Sequence, residues 1–441
     1  MNKLLLILIG VPVVLIVVLV VAFLLASRDI APPSTPDLVP QRANVADADN
    51  AFTYLKEAVA AADWPVGDER ERIDKILDKP ESDPRYVADL LTRNKEALTI
   101  LDRGLTCDIC QGPEILRIDD SMEYVQGWRT LSRLLWLKAM HDKDAGRWDE
   151  ATTACCNLLR FGNLIQKDPG SLVHYLVGLA LLGQGFNASE TLALSPDMPK
   201  DQLARLAQAL ADVGPFDAGL VQSLKGEYQL ASNTVGELAQ GKTPFGDGEL
   251  KGLPATRVGY VFQPNRTKQI FADLFRNYLE NVSLPPAQRK LLDVEEQLGI
   301  QKKSRITLML SPNGVGKMLV ALMAPATEAI LEASSRVEGM RAANQLMVAC
   351  RRYEKDHGEL PPTLDALVPT YLDAVPRDPF DGKPMRYVRD RAVVYSVGTD
   401  LVDGGGKETP PAPGASPDEP RNRWYDAEDA VFHLHGEPTK P

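Results

Sequence analysis

The chain has 441 residues, 44% of them hydrophobic and 25% charged, with 49 basic against 60 acidic residues and a net charge of −11. That length is enough for two or three domains. No block of lysine and arginine interrupts the acidic balance, so the electrostatic footprint of a DNA- or RNA-binding protein is missing.

Leu4 to Ser27 carries no charge and is dominated by Leu, Val and Ile. At about 1.5 Å per residue, such a helix crosses the roughly 30 Å hydrocarbon core of a bilayer. The apolar run is longer than that of a cleaved signal peptide and lacks its small-residue cleavage site, which predicts a retained signal anchor over 1–28. A short leader of this kind places the N-terminus inside. It predicts a single-pass protein of a bacterial-type inner membrane, with the bulk of the chain extracytoplasmic. Lys3 on one side and Arg28 and Arg42 on the other give only a weak charge bias. Pro32, Pro33 and Pro36 then predict a stiff linker over 29–43.

The pattern from 44 to 240 is helical. Ala51, Tyr54, Leu55 and Ala58 suit an amphipathic helix starting after Asp47 or Asp49, and Tyr86 to Leu101 suits another. A helix pair is expected over Met122 to Asp144 and Trp148 to Gln166, broken at Gly146. The spacing of Ala139, Gly146 and Ala151 resembles a tetratricopeptide-type helix-turn-helix, where small residues let helices approach closely. One such unit is visible and repeat arrays need about three, so the expectation is an irregular bundle containing a repeat-like hairpin. Leu172 to Leu182, between Ser171 and Gly183, is apolar but too short to span a membrane and is expected in the bundle core.

Five cysteines are present: Cys107 and Cys110 in a C-x-x-C pair, adjacent Cys155 and Cys156, and Cys350. In an exported domain the first four are disulfide candidates, within the pair or across to Cys155 or Cys156. A redox role would want a thioredoxin-like strand-helix context, which this stretch lacks. Zinc would want two further ligands at orderly spacing. Cys350 reads as apolar packing. The histidines are scattered, and His433 with His435 on one strand face make only half of a metal site.

A connecting region over 241–325 follows. It is irregular from Gly241 to Asn265, then helical over Lys268 to Glu280 with Asn265 or Thr267 as cap. Pro285-Pro286 opens a further helix that turns Leu291, Val294 and Leu298 inward. Ser311 to Met318 imitates a phosphate-binding loop, but Ser311 stands at the first glycine position and Met318 replaces the Ser/Thr that would meet Mg²⁺, so a capped turn is expected.

The last quarter, 326–435 before a short tail at 436–441, predicts a small α+β domain: one long helix and a short antiparallel sheet. Helix formers run from Thr327 to Lys355, with Val337, Met340, Met347 and Cys350 on one face. Gly358 ends the helix, and Leu360-Pro361-Pro362 prevents its continuation. Thr363 would cap a short helix to Val368. Asp378-Pro379 and Asp381-Gly382 mark turns. Met385 to Val388 and Ala392 to Val397 read as strands joined at Asp390-Arg391, with a third at Ala430 to Leu434 and Trp424-Tyr425 packing at its start.

In its order of Tyr353, Gly358, Pro361-Pro362, Asp378-Pro379-Phe380-Asp381-Gly382 and Ser396-Val397-Gly398-Thr399-Asp400, this unit resembles the C-terminal globular domain of type II secretion major pseudopilins. The chain lacks that family's leader signature and places some three hundred residues before the helix, so a shared head rather than a filament subunit is implied. The resemblance also implies a Ca²⁺ site, with Val397 as carbonyl ligand, Asp400 as carboxylate ligand, Asp403 in the following turn, and Asp426 or Asp429 as the downstream acid. The same residues equally suit Asx-type turns. The resulting expectation is a membrane-anchored binding or scaffolding protein without catalytic activity, having a protein partner in the envelope. Its rivals are an accessory component of a type II secretion or pilus-like system, and an envelope thiol-disulfide enzyme using Cys107 and Cys110.

Overall fold

The computed structural model describes residues 3–67, 69–167, 170–242, 259–301, 307–308, 311–407 and 429–435. Trp424, Tyr425, Asp426 and most of the irregular stretch after Gly241 lie outside them. The uncharged N-terminal run forms α1 (Lys3–Ala26), 24 residues long. Its described apolar side chains from Val14 to Leu25 stand exposed. The proline segment that follows does not project from the body. Leu38 is buried in the main core, Asp37 pairs with Arg276 at 2.8 Å, and Gln229 donates to the Leu38 carbonyl.

Next comes α2 (Ala51–Ala61), capped by Asn50 rather than by Asp47 or Asp49. The Asn50 amide also exchanges hydrogen bonds with the Gln111 backbone, so one side chain caps a helix and pins a loop. After α3 (Glu69–Asp78), the single helix expected over Tyr86 to Leu101 is two, α4 (Pro84–Arg93) and α5 (Lys95–Gly104). Asn94 breaks it. Its buried amide donates to the carbonyls of Asp63 and Leu90 and accepts from the Asp63 N–H. The apolar spacing runs on across the break, which is why periodicity alone reads one helix there.

The expected hairpin is present as α6 (Tyr124–Asp144) and α7 (Trp148–Gln166). Gly146 has φ +72 with open space around it, so it serves the left-handed turn and not a close approach. Close approach occurs instead between α7 and α8 (Leu172–Ala193), which runs through the expected stop at Gly183. A Cβ on Gly162 would lie 2.6 Å from the Leu182 nitrogen, and one on Gly178 would collide with the Gln166 backbone. Gly178→Ala should therefore destabilise by about 1–3 kcal/mol. Gly183→Ala, in open space on the same helix, should be neutral or stabilising. Denaturant midpoints of the two variants check this, and equal midpoints would refute the packing account.

α9 (Lys200–Asp212), α10 (Phe216–Ala239), α11 (Pro264–Asn281) and α12 (Val294–Leu298) complete the body. The cap of α11 is neither Asn265 nor Thr267. Both oxygens of Asp29 accept from the N–H groups of Asn265 and Arg266 at 2.8 and 3.0 Å, a cap reached from 236 residues upstream. Pro285-Pro286 gives only a 3₁₀ turn, and α12 starts on the Asp293 side-chain cap, with Val294 and Leu298 buried as expected.

The final helix, α13 (Gly314–His357), has 44 residues and starts thirteen positions before the expected Thr327, because the turn at Ser311 leads straight into it. It is long and apolar enough to cross a membrane by length and composition, yet 57% of its most apolar window is buried by the rest of the protein. It is the spine of the body. Gly358 ends it at φ +80, as expected. Beyond lies an antiparallel sheet in the order β1 (Arg386–Val388), β2 (Val393–Ser396), β3 (Ala430–His433), pairing Tyr387 with Val394 and Val394 with Phe432. Thr363 makes no side-chain cap, and a 3₁₀ turn follows it. The fold is thus mainly helical with one small sheet. The sheet's apolar core is built from Ala342 to Cys350 of α13, Phe380, Val394 and Phe432, and it reaches Leu194 at the end of α8.

Candidate functional site

Two polar clusters stand out, one in the head and one in the body. The first grows from the turn at Asp378. The Asp378 N–H donates to the Lys383 carbonyl at 2.7 Å, and Gly382 adopts φ +75 to close the turn. This folds the Asp378 carboxylate inward, where it is fully buried. There it accepts from the Phe380 N–H (3.0 Å), the Ser396 hydroxyl (2.8 Å), the Val397 N–H (2.9 Å) and Arg386 Nη1 (2.7 Å). Arg386 of β1 also grips Asp381 and Asp403. One guanidinium thus serves three carboxylates. Burial pushes Asp378 up, against the hydrogen bonds and the Arg386 charge that favour its ionised form. Burial also acts on Asp381, but Arg386 and the Lys383 N–H outweigh it and hold that carboxyl below its usual range. Sequence reasoning saw Asp378 and Asp381 only as turn formers. The missing signal is non-local, since the arginine that unites them sits on a strand.

Val397, Asp400, Asp403 and Asp429, implied as calcium ligands, lie around one loop region, and the three carboxylates already accept hydrogen bonds. Asp400 accepts from the Val402 N–H and Asp403 from the Gly405 N–H, both Asx-type turns. Asp403 further takes the Tyr395 hydroxyl and Arg386. Asp429 accepts from the N–H groups of Gly404, Gly406 and Lys407, a backbone nest of the kind that holds anions. The Val397 N–H points to Asp378. Calcium wants six to eight free oxygens. Here donors and an arginine face the acids, and no group of three metal-ligating side chains occurs among the described residues. As placed, Asp400, Asp403 and Asp429 present hydrogen-bonded oxygens and form no metal-ligating group among the described residues.

The second cluster was not visible in the sequence. Ser171 caps α8, and His174, one turn in, places Nδ1 3.4 Å from the Ser171 hydroxyl and Nε2 2.7 Å from the Tyr124 hydroxyl. A hydroxyl beside an imidazole is the geometry of an activated nucleophile. These groups are sealed, however. His174 has no exposed surface and lies against the Tyr124 and Trp128 rings. Burial, with a further push from Arg42, lowers His174 to about 4. A neutral, water-free histidine bonded on both nitrogens supports the packing of α6 on α8.

The structure shows no bridge among the four candidates Cys107, Cys110, Cys155 and Cys156. Cys155 is buried in the main core with its sulfur 3.7 Å from the Gly185 carbonyl, whereas Cys107 and Cys110 belong to a different apolar cluster. Burial, Asp49 and Asp108 raise the Cys107 thiol, the reverse of what an attacking thiolate needs. His435 bonds Glu354 of α13 at 2.9 Å instead of joining His433.

No protein-family model matches the chain, and neither a curated protein nor a solved structure is significantly similar to it.

Proposed function

We propose that the protein is a single-pass, membrane-anchored, extracytoplasmic binding or scaffolding protein whose head resembles that of the type II secretion pseudopilins. One observation carries the reading: an exposed apolar helix is locked to the body at its exit. Gln263 donates to the Ala26 carbonyl, Asp29 caps α11, Asn265 donates to the Ile30 carbonyl, and Phe23 stacks on Tyr260 at 5.1 Å. A helix with a charge-free apolar surface is costly in water and at home in a bilayer. The hydrogen bonds and ring stack at its end tie the anchor to the body. The function is presentation: α1 sets location, and the body holds the head in a fixed attitude toward a protein partner. Catalysis is not part of the reading, because the hydroxyl–imidazole cluster is sealed and the Cys107 thiol is raised.

Removing residues 2–28 while keeping Asp29 leaves the α11 cap in place and tests the anchor alone. The full chain should stay in the membrane pellet after an alkaline wash, and the truncated chain should become soluble and remain folded. A C-terminal alkaline phosphatase fusion should be active only if the bulk of the chain is outside. A full-length chain recovered in the soluble fraction would sink the proposal.

A further inference from the structure

Leu401, in the loop after β2, has φ +62. The left-handed region costs a residue with a Cβ roughly 1–2 kcal/mol and is normally given to glycine or asparagine. Among the described residues, this leucine joins no apolar core cluster. Leu401 is 40% exposed and Val402 is 61% exposed. The turn is nevertheless held firmly from beneath. The Val402 N–H is fixed by Asp400, the Gly404 N–H by Asp429, and the Gly405 N–H by Asp403, which Arg386 and Tyr395 hold in turn. Two bulky apolar side chains therefore project from a rigid base, on a turn otherwise made of Asp and Gly. A local rule broken without internal compensation points to an external use.

We propose that Leu401-Val402 is a docking knuckle that enters an apolar pocket, rimmed by basic residues, on a partner protein. The bilayer is at the other end of the spine. The carbonyl of Tyr260, whose ring stacks on Phe23 of the anchor, accepts from the Asn313 N–H at the start of α13, whereas the apolar core of the head meets α13 from Met340 onward. Those positions are about 40 Å apart along the helix. Asp400 and Asp403 flank the knuckle, and the one Arg386 beneath it is shared among Asp378, Asp381 and Asp403, so the turn keeps an excess of negative charge. An anionic lipid surface or the same turn of a second copy would meet like charge, and a basic rim would meet opposite charge. The placement relative to the bilayer rests on the anchor reading above.

The test is a benzoyl-phenylalanine photocrosslinker at Val402 in the full-length chain in its native membrane, with the adduct identified by peptide sequencing. One discrete heterologous protein should be captured. Its yield should fall about tenfold with Leu401→Asn, as for loss of an anchor residue, and should fall with added salt. Leu401→Asn and Leu401→Gly should keep or raise the unfolding temperature, since both relieve the backbone. A lipid adduct, a self-adduct, no adduct, or a yield indifferent to Leu401→Asn overturns the proposal. So does a marked drop in unfolding temperature, which would assign the leucine to folding. If the chain still pellets with membranes while the adduct fails, only the knuckle is wrong; if it does not pellet, the anchor reading fails.

Discussion

Replacing Arg386 by glutamine is expected to destabilise the head by about 3–5 kcal/mol, the cost of removing one partner of a buried ion cluster. Asp378 has no exposed surface and would lose its counter-charge, while Asp381 and Asp403 would each lose a charged donor. Hydrogen exchange of the Val393–Ser396 amides reads this locally, and the rate should rise roughly a hundredfold or more. The pH dependence has a definite sign. Asp381 and Asp403 are both held low with Arg386 contributing, so their stabilisation exists above the unfolded carboxylate pKa and fades as pH falls through the folded values. Asp378 is raised, so its share is present at low pH and lost as pH rises. The variant loses the first share and enlarges the second, and its deficit should shrink on acidification. Adding Asp378→Asn to Arg386→Gln should cost much less than the sum of the two single changes. A single-variant loss under about 1 kcal/mol would show that the cluster is decoration. The same experiment bears on the knuckle, because Arg386 holds Asp403 under Leu401.

What could be read from the sequence follows the range of the interactions. Local rules placed α7 to the residue, the stop of α13 at Gly358, and all three strands within one or two positions, because glycine conformation and β-propensity act over a few neighbours. The misses share another cause. Asn94 splits a helix by bonding Asp63, and Asp29 caps a helix over two hundred positions later, partners that no window contains. Gly183 reads as a stop, yet it lies in open space within α8, and the glycines of that helix that do meet α7 are Gly178 and Gly185. The sites divide in the same way. The Asx turns of Asp400 and Asp403 are local and were legible as one of two alternatives. The union of Asp378, Asp381 and Asp403 on Arg386, and of Tyr124 with His174, required the fold.

The body should weaken as pH falls from about 6.5 to 4, and His174 should be the main reason. Its pKa drops from 6.5 to about 4 in the fold through burial, with Arg42 adding repulsion, so the unfolded chain takes up the proton first. Stability is then fully present above the unfolded value, declines between the two, and levels off below the folded one. The span corresponds to about 3 kcal/mol. The groups facing the imidazole, Tyr124 and Ser171, are hydroxyls, so no carboxylate offsets the added charge. Glu227 acts in the opposite sense: burial raises it to about 7, so its share is lost as pH rises. For that reason the quantity to measure is the difference between wild type and His174→Gln in urea midpoint across this range, which cancels Glu227. The difference should narrow steadily toward pH 4 as the wild type loses its advantage. A difference that stays constant would mean that His174 titrates at its ordinary value and therefore meets water. The hydroxyl, imidazole and phenol would then form an open site, and the case against catalysis would lose its main support.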